Sequence, residues 1–389
     1  MAQKNSDHHS LISLRRNLHQ HPELGFEEHQ TRRILIDALE SEGFRVQGPV
    51  AGTGFYVDIK GDKPGPTIAY RADIDGLPIQ DEKPVPYASS HQGKGHMCGH
   101  DVHSTIAFGI ARNLNQNRDK IRGTVRIFWQ PAEEPNPSGA PEIIKSGILD
   151  ECSAIYGIHC DPNLDAGSIC ILSGMVTASF DKFTITVTAP ESQHSARPHQ
   201  GTDTIWVTNK IISELYGLPG RLTNSLDPCV IAVSMIHGGD THNVIPKQVS
   251  FAGTIRCSKH EDREVILQHI EKLLDSFSSI YSIECNMQTG RGAPPVRNDD
   301  RFATAARSVV EQNPEISLVS CSPSMGGEDF AHYSLKLPAL FMRLGTSSGP
   351  STSHPVHTPL FDVDESVMEP ASQLLSEILI QNLSTSHDS

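Results

Sequence analysis

The run Val125-Arg-Ile-Phe-Trp-Gln-Pro-Ala-Glu-Glu134 passes without a break from a β-branched and aromatic stretch into a proline and two adjacent carboxylates. Val125 to Trp129 reads as a strand, so Glu133 and Glu134 fall in the loop at its carboxyl end. Similar runs occur at Phe55 to Ile59, Thr67 to Tyr70 and Ala154 to Ile158. Helical periods accompany them. Leu11, Leu14 and Leu18 share one face, and Ile34, Leu35, Ala38 and Leu39 share another, stopped by Gly43. From about His103 to Asn115, Ile106, Ala107, Ile110 and Leu114 repeat at helical spacing. Strands separated by helices predict an α/β sheet with helices on both faces.

From Asp181 the pattern changes. Phe183, Ile185 and Val187 alternate as a strand, and 202–217 reads as a helix. Val230 to Ile236 and Val249 to Ile255 read as strands joined through Gly238-Gly239-Asp240. A long helix over 261–280 and a strand from Ile283 to Met287 complete a βαββαβ order, which is the ferredoxin-like α+β unit. The α/β style resumes after 292–295, with a helix at 299–311, a strand from Ala339 to Leu344 and a final helix at 365–382. One α/β domain, 1–180 and 293–389, is therefore expected to be interrupted by a smaller domain at 181–292.

A chain of 389 residues suits two domains. Its net charge of −14 argues against a nucleic-acid or anionic-membrane partner, since either selects a basic face. No apolar run approaches the ~18 residues a membrane span needs. The polar start lacks the apolar core of a secretory signal, so a cytoplasmic location is expected. Eight scattered cysteines with no CxxC pair then read as free thiols.

The chemistry concentrates in a few loops. Cys98-Gly-His-Asp101 precedes the helix from 103, Glu133 and Glu134 follow one strand, His159 ends another, and His357 lies between a strand and the last helix. All are compatible with the crevice beyond the carboxyl ends of the strands. Taken singly, each has a plain reading. Cys98 is then a buried hydrophobe, His159 a hydrogen-bonded strand residue and the glutamate pair a solvated loop; His357 competes with His354. Together, Cys98, His100, Glu134, His159 and His357 offer a sulfur, three nitrogens and a carboxylate. That is too many for one open catalytic zinc and suits two divalent ions. Glu133 is then the spare carboxylate a metal-assisted hydrolase uses to handle a proton.

Several motifs run in order along nearly the whole chain. They are His19-Gln-His-Pro-Glu-Leu-Gly-Phe-Glu27, Arg71-Ala-Asp-Ile-Asp-Gly-Leu-Pro78, Cys98-Gly-His-Asp101, Gln130-Pro-Ala-Glu-Glu134 and Gly157-Ile-His-Cys160. They continue with His194-Ser-Ala-Arg-Pro-His199, Asn243-Val-Ile-Pro246, Gly253-Thr-Ile-Arg256, Gly326-Gly-Glu-Asp-Phe330 and His357-Thr-Pro359. In these the chain resembles the M20 metallopeptidase superfamily, in particular its amidohydrolase branch of hippurate and indole-acetyl-amino-acid hydrolases.

The resemblance implies a zinc-aminopeptidase-like catalytic domain with a mixed sheet and an inserted ferredoxin-like lid that mediates homodimerisation. It implies Cys98, His100, Glu134, His159 and His357 as ligands of two metal ions (zinc, manganese, nickel or cobalt), with Cys98 bridging and Glu133 the general base. Asp73 stands where other branches have a His-x-Asp ligand motif, but Arg71 replaces that histidine, so Asp73 and Asp101 are expected behind the ligands. His194 is implied as an oxyanion-stabilising histidine, although its approach, Ala189-Pro-Glu-Ser-Gln193, lacks the usual glycines. Asn243, Arg256, Gly326 and Gly327 are implied on the substrate side, Arg256 for a carboxylate.

The expected reaction is hydrolysis of an N-acyl amino acid by metal-activated water; the alternative substrate is a dipeptide or a carboxypeptidase substrate. Two remoter readings compete. In one, Cys98 is a nucleophile with His100 as its base and Asp101 as orienter. In the other, the chain binds metal without catalysis.

Overall fold

The computed structural model describes residues 2–385. The chain forms two compact units, one of Met1–Val176, Arg297–Ser322 and Asp329–Ser389, the other of Thr177–Val296 and Pro323–Glu328. In chain order the larger unit has strands Gln47–Val50 (β1), Gly54–Lys60 (β2), Lys63–Asp73 (β3), Arg122–Gln130 (β4), Cys152–Asp165 (β5) and Ser168–Cys170 (β6). The smaller unit follows with Asp181–Thr188 (β7), Cys229–His237 (β8), Gln248–Cys257 (β9) and Glu284–Arg291 (β10). Ser317–Leu318 (β11) and Ala339–Ser347 (β12) return to the larger unit. The longer helices are Ala2–Gln20 (α1), His29–Ser41 (α2), His100–Gln116 (α3), Thr204–Gly217 (α4), His260–Tyr281 (α5), Asp300–Val310 (α6) and Met368–Thr385 (α7).

The eight-stranded sheet runs β1-β2-β4-β3-β5-β12-β6-β11. Its centre, β4-β3-β5-β12, is parallel, while β2 joins β4 and β6 joins β12 antiparallel, so the sheet is mixed as expected. Central parallel strands are covered on both faces, and β4 accordingly becomes continuously buried from Ile127 to Gln130. Helix α3 packs against β3, α1 and α7, and Val102, Ile106, Ile110 and Leu114 are fully enclosed. Each such aliphatic side chain contributes roughly 1.5–3 kcal/mol by leaving water.

Three details depart from the sequence reading. Helix α3 begins at His100 because Gly99, at φ 85°, turns the chain directly into it; His100 and Asp101 thus lie in the first turn. Strand β5 is 14 residues long, so His159 lies within it and not at its end. The cysteines are not all free. Cys170 and Cys321 form a disulfide across 151 residues of sequence, brought within a Cα separation of 6.1 Å. The parallel pairing of β11 with β6 aligns the two segments, a long-range juxtaposition that cysteine spacing does not reveal.

In the smaller unit the antiparallel order β8-β9-β7-β10 places the first strand of the βαββαβ series beside the third and the fourth. Phe183, Ile185 and Val187 on β7 and Phe251 and Ile255 on β9 face α4 and α5, which add Val207, Ile211, Ile266, Ile270 and Leu274 to the core. On the same face of β7 Asp181 forms a buried ion pair, in which Arg263 on α5 donates to both its oxygens at 2.6 and 2.7 Å. Among the described residues, no helix is long and apolar enough to cross a membrane.

Candidate metal centre

Four stretches of the larger unit carry the centre: the turn after β3, the start of α3, the loop after β4 and the interior of β5. A fifth, the loop holding His357, is tied in where the His357 amide donates to the Met97 carbonyl at 2.7 Å. Two non-glycine residues here have left-handed backbones, Ala132 at φ 54° and His357 at φ 62°. Such conformations cost on the order of 1–3 kcal/mol and persist where surrounding contacts dictate them. For Ala132 the contact is Glu28, whose Oε1 accepts the Ala132 amide at 2.8 Å. Glu28 also accepts from the Phe26 amide and the Thr53 hydroxyl.

Cys98 Sγ lies 3.3 Å from Nε2 of both His159 and His357. Glu134 Oε1 lies 3.2 Å from His357 Nε2 and 3.9 Å from His100 Nε2. Donor atoms within 4.8 Å of one another define the groups Cys98–His100–His159, Cys98–Glu134–His357 and His100–Glu133–Glu134. The first two share Cys98, and His354 joins none of them.

The imidazoles are oriented from behind. His159 Nδ1 donates to the Cys160 carbonyl at 2.7 Å, which leaves its Nε2 lone pair toward Cys98. His100 Nδ1 faces Asp75 Oδ1 at 3.2 Å, and the other oxygen of Asp75 accepts the Glu134 amide at 3.0 Å. One carboxylate therefore holds two of the centre's residues. Sequence reading singled out Asp73 and passed over Asp75; the two alternate along one stretch and both are buried.

Asp73 serves a neighbouring network. It accepts from Arg71 Nη1 at 2.6 Å and pairs with His103 Nδ1 at 2.7 Å. His103 Nε2 accepts the Cys160 amide at 2.9 Å. Asp73, His100 and His103 are close enough to suggest another metal group, but both ring nitrogens of His103 are engaged, so His103 orients and does not ligate. Arg71 also donates to Gln130 and Asp329, and the Asp329 amide reaches Glu133 Oε1 at 3.3 Å. Arg71 thus stands behind the centre as a buried cation.

The donor set fits divalent cations. His100 Nε2 and Glu134 Oε1 are buried without a hydrogen bond of acceptable geometry, which is costly for polar atoms unless a further group satisfies them. Burial alone would lower the His100 pKa, but Asp73, Asp75 and Glu134 overcome it and hold it up at about 10. A field that keeps a proton on His100 also favours a metal cation there, and metal uptake releases that proton. Burial and the neighbouring His103 push His159 down to about 3, leaving it neutral as a ligand must be. For Glu134, burial acts upward, yet His357 and His100 outweigh it and lower its pKa.

The cysteine-nucleophile arrangement is not assembled. Cys98 faces His159 and His357, and Asp101 Oδ2 is taken by Arg15 Nε and His19 Nδ1, both at 2.7 Å.

The remaining expected residues lie in the smaller unit. His194 pairs in register with Val244, and the Ser195 amide donates to the Asn243 carbonyl at 3.0 Å, so His194 and Asn243 are neighbours. His194 Nδ1 accepts the Ala196 amide at 3.1 Å, which leaves the neutral ring's proton on Nε2. Arg256 stacks over Phe180, 4.4 Å from its centroid, and donates to the Met325 carbonyl. Gly327 packs on the same phenylalanine, where an added Cβ would come within 3.1 Å of it, and the Gly326 amide donates to Ser324 Oγ.

Known proteins resemble this chain in sequence and fold. The family model for peptidase family M20/M25/M40 matches residues 69–381. The chain is 35% identical to an N-acetyl-L-cysteine deacetylase of Bacillus subtilis over 97% of its own length and 89% of that protein's. It is 33% identical to an N-acetyldiaminopimelate deacetylase of Leuconostoc citreum, covering 97% and 98%. A crystal structure of the Bacillus subtilis YXEP protein, a dinuclear metal-binding peptidase from the M20 family, superposes with a TM-score of 0.85 at 35% identity, covering 98% of this chain and 99% of that one. The chain belongs to peptidase family M20/M25/M40 and is a hydrolase of linear amide bonds.

Proposed function

We propose that the protein hydrolyses the amide bond of N-acyl amino acids, using Cys98, His100, Glu134, His159 and His357 to hold two divalent metal ions and Glu133 as general base. The observation that carries this reading is the convergence of those five donors beside a further carboxylate, with His100 Nε2 buried and without a hydrogen bond. The names of the deacetylase relatives support the substrate class. Cys98, whose Sγ lies 3.3 Å from Nε2 of both His159 and His357, would be the ligand common to the two ions.

Ions held there supply Lewis-acid polarisation of the amide carbonyl and lower the pKa of water, in zinc enzymes to about 7. Glu133 takes the proton of the attacking water and delivers it to the departing amine. The Asp329 amide keeps one of its oxygens oriented. His194, with Nε2–H as its donor, stabilises the oxyanion, a role whose loss typically slows turnover on the order of a hundredfold or more. Arg256 pairs with the carboxylate of the substrate's amino-acid part, with Asn243, Gly326 and Gly327 beside the substrate.

The protein acts as a homodimer joined through the smaller unit. Strand β8 is a sheet edge carrying exposed Val230, Met235 and Ile236, and α4 exposes Ile205, Trp206 and Tyr216. A long apolar edge left open is otherwise an aggregation hazard.

The test is a metal-loaded activity panel of acetyl, benzoyl, long-acyl and indole-acetyl amino acids, with dipeptides included. Release of free amino acid from acylated substrates is the expected result. Turnover of dipeptides alone would replace the reading with a peptidase, and no turnover at all with a metal-binding protein.

A further inference from the structure

We propose that Cys229 and Cys257 form an oxidative-modification site, a dithiol that a hydroperoxide converts reversibly into a cross-strand disulfide. Cys229 opens β8 and Cys257 closes β9, and the two lie directly opposite each other. The Ser258 amide donates to the Pro228 carbonyl at 2.9 Å, one position further on. Cys257 turns its own backbone the other way: its carbonyl accepts the Ser179 amide at 2.8 Å and its amide donates to Ser179 Oγ at 2.9 Å. The cysteines are therefore a non-hydrogen-bonded antiparallel pair, in which facing Cα atoms approach to about 4.5 Å and side chains come closest. A disulfide spans about 4.4–6.8 Å between Cα atoms, so this spacing lies at the near end of its range.

The sulfurs are already 3.2 Å apart. Bond formation at about 2.05 Å needs an approach of only about 1.1 Å. The segments flanking the pair are tied to each other by Lys259 Nζ and Asp227 at 2.6 Å, which keeps the thiols facing. Access divides the roles. Cys257 is fully buried and Cys229 is half-buried, so an oxidant meets Cys229 first. The hydrogen bond between the sulfurs holds the Cys229 thiol below its usual pKa and, with burial, the Cys257 thiol above it. Cys229 is thus the nucleophile and Cys257 the resolving thiol.

The Cys229 thiolate attacks one oxygen of the hydroperoxide, the O–O bond breaks, and a sulfenic acid forms as an alcohol or water departs after protonation. The Cys257 sulfur then attacks the sulfenic sulfur; the S–O bond breaks and the hydroxide leaves as water with the thiol proton. Two thiols and one hydroperoxide give one disulfide, one alcohol or water, and one further water. Two electrons pass from sulfur to peroxide oxygen. The product staples the outer strand β8 to β9.

The test uses the full-length, metal-loaded protein and hydrogen peroxide. After quenching, free thiols are alkylated, the chain is digested with trypsin, and peptides are weighed with and without prior reduction. The expected product is peptide 222–247 joined to 257–259 with the loss of two hydrogens, removed by dithiothreitol. Cys285, half-buried, serves as an accessible internal comparison and should not enter this cross-link. Cys229→Ser should leave Cys257 reduced and alkylatable after unfolding. If that variant does not fold, the wild-type cross-link decides alone. Recovery of both peptides alkylated at a peroxide dose that oxidises Cys285, or of Cys229 as sulfinic acid with Cys257 still alkylated, would overturn the proposal. The readout is a mass, so its failure is separate from any failure of the amidohydrolase reading.

Discussion

Asp75→Asn tests how the centre is held. In the wild type, one oxygen of Asp75 faces His100 Nδ1 at 3.2 Å and the other accepts the Glu134 amide at 3.0 Å. A carboxylate accepts both donors; an amide has one acceptor and one donor end. With its oxygen toward Glu134, the substituted side chain directs its NH2 at His100 Nδ1. That moves the ring proton to Nε2, the atom the metal needs. With the oxygen toward His100, the NH2 meets the Glu134 amide, donor against donor. Without the Asp75 charge the hold on a second His100 proton weakens, and the neutral ring of the apo variant then takes the first arrangement, but metal binding requires the second. Leaving one buried donor unsatisfied costs about 1–3 kcal/mol. Metal affinity should therefore fall roughly 5- to 150-fold, at 1.4 kcal/mol per factor of ten. The apo protein's urea stability should change by under about 1 kcal/mol. Competition against a chromophoric chelator measures the first quantity and urea titration the second. Metal affinity within twofold of wild type, or a loss matched by equal destabilisation of the apo protein, would refute the tautomer argument.

Other perturbations probe other links. Burial raises the Glu28 pKa despite its three hydrogen-bond donors. A raised folded value means the contribution is most favourable below the ordinary carboxylate range and is lost as pH rises through the folded pKa. Glutamine preserves the geometry without ionising, so the stability of Glu28→Gln relative to wild type should rise between about pH 4 and pH 7; a flat or falling difference in urea unfolding contradicts this. In the smaller unit, Arg263→Met leaves Asp181 buried and unpaired and should cost about 3–5 kcal/mol in urea unfolding; a loss under about 1 kcal/mol would mean the pair is not held as described. Chelation should abolish turnover, restored by zinc, manganese, cobalt or nickel, and lower the melting temperature, since ions at a hundred times their Kd stabilise by about 2.7 kcal/mol.

What was legible in the sequence followed local periodicity. A β-branched and aromatic run placed β4, alternation placed β7, helical spacing placed α1, α2 and most of α3, and the change of style at Asp181 marked a second unit because a half-buried antiparallel strand alternates where a central parallel one does not. Ends were less legible. The entry to α3 depends on one glycine in a left-handed conformation, so His100 and Asp101 read as loop residues. Strand β5 continues past Ile158 through His159-Cys-Asp-Pro because β12 pairs with it in parallel through Gly345, a partner nearly two hundred residues away. For the centre, residue type and order sufficed to pick out ligand candidates. Asp73 and Asp101 were picked out behind them, but the partners of such groups were illegible: Gln130 reaches Asp329, and Arg15 reaches Asp101 and Asp362, across separations no local pattern encodes. The Cys170–Cys321 bond was missed on the same account.

The central claim is that Glu133 handles the proton while the other five donors hold the metals. Glu133→Gln separates these roles. Metal stoichiometry and kcat on an N-acetyl amino acid should be measured on the same preparation. The account expects unchanged metal content with kcat lower by about 10²- to 10⁴-fold, the usual contribution of a positioned general base. Turnover within tenfold of wild type, or a loss of activity that tracks a loss of metal, would contradict it.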